Sequence, residues 1–247
     1  IVALGGADTI TGNDGRDTID AGDGNNLVDG GAGDDIITTW VGNDTITGGD
    51  GDDLIHAGQG NNTVTGGLGN DTITALGGND TIQGNEGADL ISAGDGANLI
   101  DGGIGNDTIT AGTGNDTITA GDGDDVVHAG DGNNTITGGL GDDIITAGSG
   151  NDTITAGTGD DNVHAGQGAN TILGGAGNDT LTALGGSDLI TGDDGADLIS
   201  AGDGNNTVTG GAGNDTITAG IGNDTITGDD GADDINAGDG NNTVRGG

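Results

Sequence analysis

Starting at Ile10 and moving in steps of nine, every position reached is aliphatic. The series runs Ile10, Ile19, Val28, Ile37 and on to Val244, all Ile or Val except Leu181. Glycine fills every ninth position from Gly6 to Gly240, and two residues after each of these glycines stands Asp or Asn. No insertion breaks the frame over 247 residues. A fixed short period of this kind is the signature of a repeat architecture, in which each unit buries its apolar face only by stacking on its neighbours.

Composition narrows the choice further. The chain has 62 glycines and a formal charge of −40, with no proline, cysteine or methionine, and Trp40 is its only aromatic residue. A quarter glycine makes long helices improbable. Without cysteine there is no disulfide, zinc-thiolate site or thiol nucleophile. Two arginines against 42 acids exclude the basic face that nucleic acid needs. No apolar run approaches the ~20 residues of a membrane helix, so no membrane insertion is expected. Low aliphatic content with high charge would read as disorder from composition alone. The order of the residues argues otherwise.

A triplet such as Thr72-Ile73-Thr74 reads as a short strand with the middle side chain on one face and its neighbours on the other. Six residues remain in each unit for a loop, with glycine where the backbone must turn sharply. Two nonapeptides, 18 residues, then make one coil: strand, turn, strand, turn. The Ile, Val and Leu columns pack between two parallel sheets as a thin core. At ~4.8 Å per coil, the stack makes a rod of roughly 65 Å.

The unit is G-G-x-G-x-D-x-U-x, with U a β-branched aliphatic; GGLGNDTIT at 66–74 and GGAGNDTLT at 174–182 show it. It resembles the RTX nonapeptide (hemolysin-type calcium-binding repeat) of secreted bacterial proteins, over essentially the whole chain. The resemblance implies an all-β fold, a parallel β-roll or right-handed β-solenoid, with two short strands per coil and Ca2+ in the loops on both edges. It also implies which residues hold the ions: the sixth-position side chain, with loop carbonyls from neighbouring coils. Carboxylates and carbonyls are hard oxygen ligands that suit calcium. A thin core, opposed by backbone entropy and by self-repulsion, needs such a cation.

Loops alternate between the two edges of the roll. On edge two the sixth position is always acidic: Asp17, Asp35, Asp53, Asp71, Asp89, Asp107, Asp125, Asp143, Asp161, Asp179, Asp197, Asp215 and Asp233. On edge one it alternates. Asp8, Asp44, Asp80, Asp116, Asp152, Asp188 and Asp224 are interleaved with Asn26, Asn62, Asn98, Asn134, Asn170, Asn206 and Asn242, giving a second period of 36. Asn supplies an oxygen but no charge, so edge-one sites are expected to be weaker. The alternative is drift within a duplicated 36-residue unit. The 27 nonapeptides leave at most 25 inter-coil sites, which would take −40 to about +10 when filled with Ca2+.

The side chains flanking U face outward. On one sheet Thr precedes U in 11 of 14 strands, and 8 are full Thr-U-Thr, such as Thr45/Thr47 and Thr117/Thr119. That ladder resembles the ice-binding face of some β-solenoids, but it is interrupted at Leu27/Asp29, Gln83, Leu99/Asp101, Leu173 and Leu189. Threonine also suits any solvated strand. The opposite sheet is expected to place Ile36, Leu54, Leu90, Val126, Ile144 and Leu198 outward. His56, His128 and His164 share one slot of the 36-residue unit, too far apart to share a metal. Trp40 shares a loop slot with Leu4, Leu76 and Leu184 and is expected to cover a corner.

No catalytic constellation emerges, so no catalytic residue is assigned and no enzyme is expected. The chain is expected to be a single continuous roll, residues 1–247, without caps: a segment of a longer array or a protomer of a filament. The favoured function is a calcium-dependent structural rod of a secreted or cell-surface bacterial protein, in a fibre, surface layer or adhesin stalk, with calcium as ligand and self-association end to end or laterally. The alternatives are a folding and secretion module of an exported enzyme or toxin, and an ice-binding solenoid.

Overall fold

The computed structural model describes residues 1–247. Twenty-seven strands run from Thr9–Asp14 (β1) and Thr18–Gly22 (β2) to Thr243–Arg245, with no helix. They fall into two compact units, Ile1–Asp122 and Gly123–Gly247. In both units odd-numbered strands pair only with odd ones and even with even, always parallel. The register advances 18 residues per coil: Thr45↔Thr63 and Ile46↔Val64 in the first unit, Thr135↔Thr153 and Ile136↔Ile154 in the second. The even sheets follow the same rule, with Leu54↔Thr72 and Leu198↔Thr216. This is the expected parallel β-roll.

The β-branched column is buried from Ile19 to Ile226. Alternation across the strand explains it: the middle residue of each triplet faces the opposing sheet while its neighbours face water. A second buried column does not follow from the triplets. Ala57, Ala75 and Ala93 in the first unit, and Ala129, Ala147 and Ala165 in the second, are all but inaccessible. Each is the first residue of a nonapeptide that turns at edge one. On edge two the same slot is mostly glycine, as at Gly30, Gly48 and Gly138.

The strands are also longer than the triplets. Most span six residues, as in Thr45–Asp50, because pairing continues through the first three residues of the next unit. Glycine makes this possible. Gly49 has φ of +123°, and a Cβ there would land on the Gly31 carbonyl oxygen of the preceding coil. The turn proper is thus only Gly-x-Asp or Gly-x-Asn, not six residues. Its outer residues continue the inter-coil ladder, with Gly33 N–H donating to Asp50 O and Thr45 N–H to Asn26 O.

Leu90, Ile144 and Leu198 project from the even strands as exposed side chains, whereas Ile36, Leu54 and Val126 are half-buried. Thr45, Thr47, Thr117 and Thr119 on the odd strands are exposed. No helix is long and apolar enough to cross a membrane.

Candidate metal centre

On edge two each loop delivers its Asp inward. The side chain is buried in the loop from Asp35 to Asp215 and reaches the backbone of the preceding coil. Its Oδ1 accepts the backbone N–H of the Asp one coil earlier. In the first unit Asp17 donates to Asp35 (2.7 Å), Asp35 to Asp53 (2.7 Å), Asp53 to Asp71 (2.8 Å) and Asp71 to Asp89 (2.7 Å). In the second, Asp143 donates to Asp161, Asp161 to Asp179 and Asp179 to Asp197 at 2.8–2.9 Å. The ladder fixes one oxygen of each carboxylate that accepts in it, from Asp35 onward. The other oxygen, Oδ2 of Asp35, Asp53, Asp71 and Asp89, and of Asp143, Asp161, Asp179 and Asp197, is buried with no hydrogen-bond partner.

A row of buried carboxylate oxygens without donors is costly unless a cation completes it. The space beside them fits one. A Cβ placed on Gly30 would lie 2.5 Å from Asp35 Oδ2 and 2.5 Å from the carbonyl oxygen of Gly48 in the next coil. Glycine therefore keeps open a point on which a carboxylate and a backbone carbonyl converge. No group of three or more acidic or histidine side chains able to hold a metal ion forms, and the oxygens that converge beside Gly30 are one carboxylate oxygen and one backbone carbonyl. That donor set, all hard oxygens, matches Ca2+. Ala120 and Ala156 are the two edge-two departures from glycine in this slot.

The stack strains its own ionisation. Burial pushes the Asp71 carboxyl up to about 7, against the lowering effect of the Asp53 N–H, and the carboxylates of Asp89 and Asp53 add to the rise. Asp143 rises to about 7, and Asp53, Asp161, Asp179 and Asp197 to about 6, with burial the largest cause in each. Like charges in a low-dielectric column disfavour the ionised form. A divalent cation reverses that balance.

Edge one keeps the same Oδ1 ladder: Asn26 N–H donates to Asp44 (2.8 Å), Asp44 N–H to Asn62 (3.0 Å) and Asn62 N–H to Asp80 (2.7 Å). Since Asn Oδ1 accepts, its amide Nδ2 faces the other way. Asn26 Nδ2 donates to the carbonyls of Gly22 (3.2 Å) and Gly24 (3.0 Å) in its own loop. Asn98 does the same with Gly94 and Gly96, and Asn206 with Gly202 and Gly204. The Oδ2 of Asp44, Asp80, Asp152, Asp188 and Asp224 is buried without a partner. Burial raises the carboxyls of Asp80, Asp152 and Asp188, but here the amide of the neighbouring Asn lowers them, and no second carboxylate adds to the rise.

The sixth-position residues thus lie in the loops where the period puts them: Asp35–Asp224 and Asn26–Asn206 are buried, while Asp8, Asp17, Asp233 and Asn242 in the terminal coils are half-buried. Two participants escaped sequence reasoning. One is the first-position glycine that leaves room at each edge-two loop. The other is an exposed ladder at the fifth position, running in the opposite sense, in which Asn43 N–H donates to Asn25 Oδ1 and Asp160 N–H to Asp142 Oδ1 (both 2.8 Å). The recurrence of Asn or Asp at that slot, as at Asn25, Asp34, Asn43 and Asp52, carries the signal, but only the stacking direction explains it. His56, His128 and His164 are exposed strand residues. Trp40 sits at a corner, half exposed, with Nε1 donating to Asp20 Oδ1 (2.9 Å). It borders a shallow recess of about 290 Å³ lined by Thr38, Val41, His56 and Leu76.

Comparison with curated proteins returns no match to this chain. The family model described as the RTX calcium-binding nonapeptide repeat (4 copies) matches it in seven segments: residues 2–37, 41–73, 74–109, 101–136, 137–172, 173–208 and 209–244. With nearly every coil matched, and with the loop carboxylates arranged as described, the chain belongs to the RTX calcium-binding nonapeptide repeat family.

Proposed function

We propose that this chain is a calcium-dependent structural element of a secreted or cell-surface bacterial protein, a stretch of fibre, surface layer or adhesin stalk. The observation that carries the reading is the ladder of buried, partnerless Oδ2 atoms from Asp35 to Asp89 and from Asp143 to Asp197. It is a fold that lacks balance until divalent cations enter the loops. The ions would be held by the sixth-position carboxylates, foremost those of edge two, with loop carbonyls completing the shell. Bound calcium supplies the positive charge that offsets −40 and couples metal binding to folding.

The regularity of the frame favours a structural part over a folding module of an exported enzyme. The carboxylates are committed to the loops, and the histidines stand apart on an outer face, so the reading assigns no catalytic role. Exposed Leu90, Ile144 and Leu198 support self-association through the even face, laterally or alongside end-to-end stacking. The test is circular dichroism with and without metal. In excess chelator the chain should lack β signal, millimolar Ca2+ should restore it, and Mg2+ should substitute poorly because it demands tighter octahedral geometry. A fully folded chain in chelator would overturn the proposal.

A further inference from the structure

The two kinds of edge-one loop differ in backbone as well as in side chain. In every Asn loop the glycine four residues before the Asn takes a left-handed φ: +73° at Gly22, +70° at Gly58, +74° at Gly94 and +66° at Gly202. In the Asp loops the same slot holds Leu4, Trp40, Leu76, Gly112, Gly148, Leu184 or Gly220, and none of these has positive φ. Gly112, Gly148 and Gly220 are free to adopt it and do not. The backbone therefore alternates with the Asp/Asn residue, not with the residue that bends.

The left-handed turn in the Asn loop brings its own carbonyls under the amide. Asn98 Nδ2 donates to Gly94 O (3.2 Å) and Gly96 O (3.3 Å). Where an Asp loop presents a carboxylate oxygen, the Asn loop presents an amide bonded to loop carbonyls, through two bonds at Asn26, Asn98 and Asn206 and one at Asn62 and Asn170. An N–H edge is the positive end of the amide dipole and repels a cation, and carbonyls that accept it have less to offer a metal. The Asn loop is also tied to the next coil without metal. Asp95 Oδ1 accepts both N–H (3.1 Å) and Oγ1–H (2.8 Å) of Thr113, and Asp131 Oδ1 accepts the same pair from Ser149. In five of the seven Asn loops a carboxylate stands instead at the exposed third position (Asp23, Asp95, Asp131, Asp203 and Asp239), where water solvates it; Gln59 and Gln167 fill that slot in the other two.

We infer that the Asn loops of edge one are closed by their own amides and take no part in calcium binding, so that edge one holds one ion per two coils, on its Asp loops, while edge two holds one per coil. This rests on the calcium reading above and sharpens it: the 36-residue period sets stoichiometry, not merely affinity. Edge two has twelve gaps between its Asp loops and edge one has seven Asp loops, about 19 ions per chain instead of about 25.

Native mass spectrometry of the full chain in Ca2+ counts the ions. The expected count is about 19 for the parent and about 25 for a variant with all seven edge-one Asn changed to Asp. Should that variant fail to fold, Asn98→Ala alone is decisive. It should keep the parent's count, because the amide is no ligand, while lowering the urea midpoint of the loaded protein. A parent count near 25, or loss of ions from Asn98→Ala, overturns the inference. A count near 12 overturns the assignment of ions to the edge-one Asp loops. A count of zero would instead fail the calcium reading itself.

Discussion

Asp71→Asn should have opposite effects on the metal-free and metal-loaded protein. Asn keeps the Oδ1 that accepts the Asp53 N–H at 2.8 Å, so the ladder survives. What disappears is a buried charge whose carboxyl is pushed up from 3.8 to about 7 by burial and by flanking carboxylates. At a pH above 7, straight linkage puts the cost of ionising that group in the metal-free fold at about 4 kcal/mol as a ceiling. Water and counter-ions reaching the loop reduce this to about 1–2 kcal/mol. Without calcium, then, Asp71→Asn should fold more readily than the parent. With calcium it removes ligand charge from the edge-two column and should raise the calcium midpoint several-fold. Trimethylamine oxide titration in chelator, followed by circular dichroism, measures the first effect, and a calcium titration of the same signal measures the second. The reasoning fails if Asp71→Asn needs more osmolyte than the parent, or if its calcium midpoint does not move.

Acidification should favour the metal-free chain. With folded values of about 7 for Asp71 and Asp143 against 3.8 unfolded, the folded state binds more protons between those limits, so stability falls as pH rises from about 4 to 7. In chelator, β signal should therefore grow as pH drops from 7 to 5; a flat profile would contradict the burial argument. Ile118→Asp puts an unpaired charge into a column where Ile118 is 1% exposed. It should cost several kcal/mol, whereas Thr119→Ser on the exposed face should shift the thermal midpoint little; equal midpoints would refute the core assignment. Gly49→Ala meets both an unfavourable φ of +123° and the Gly31 carbonyl. It should destabilise the calcium-loaded protein by about 2 kcal/mol or more, read as a lower urea midpoint.

Much of this protein is legible from its period alone. A residue every nine that is Ile or Val, flanked by Thr and followed by glycine, leaves two strands per coil as the way to bury the aliphatic and solvate its neighbours. The strict alternation of strand side chains is enough to make Ile46 and Ile136 core residues. The same arithmetic places Asp53 and Asn62 on opposite edges, because only even multiples of nine return to the same edge. Resemblance to a known repeat then supplied calcium.

Other features were decided only by the stacked structure. The triplet strands grew to six residues because glycines beside them can pair across coils, and Ala57 and Ala129 became core only because that extension carries them inside. One carboxylate oxygen of Asp53 or Asp161 is satisfied and the other is not, a distinction no sequence position encodes, since it depends on the N–H arriving from the coil below. Gly22 and Gly112 show where sequence reading stops. They are the same residue in the same slot of the nonapeptide, yet Gly22 has φ of +73° and Gly112 has no positive φ. Local propensity allows either conformation at glycine. The choice follows the side chain four residues later: at Asn26 an amide engages the loop's own carbonyls, and at Asp116 there is a carboxylate, which offers them no donor.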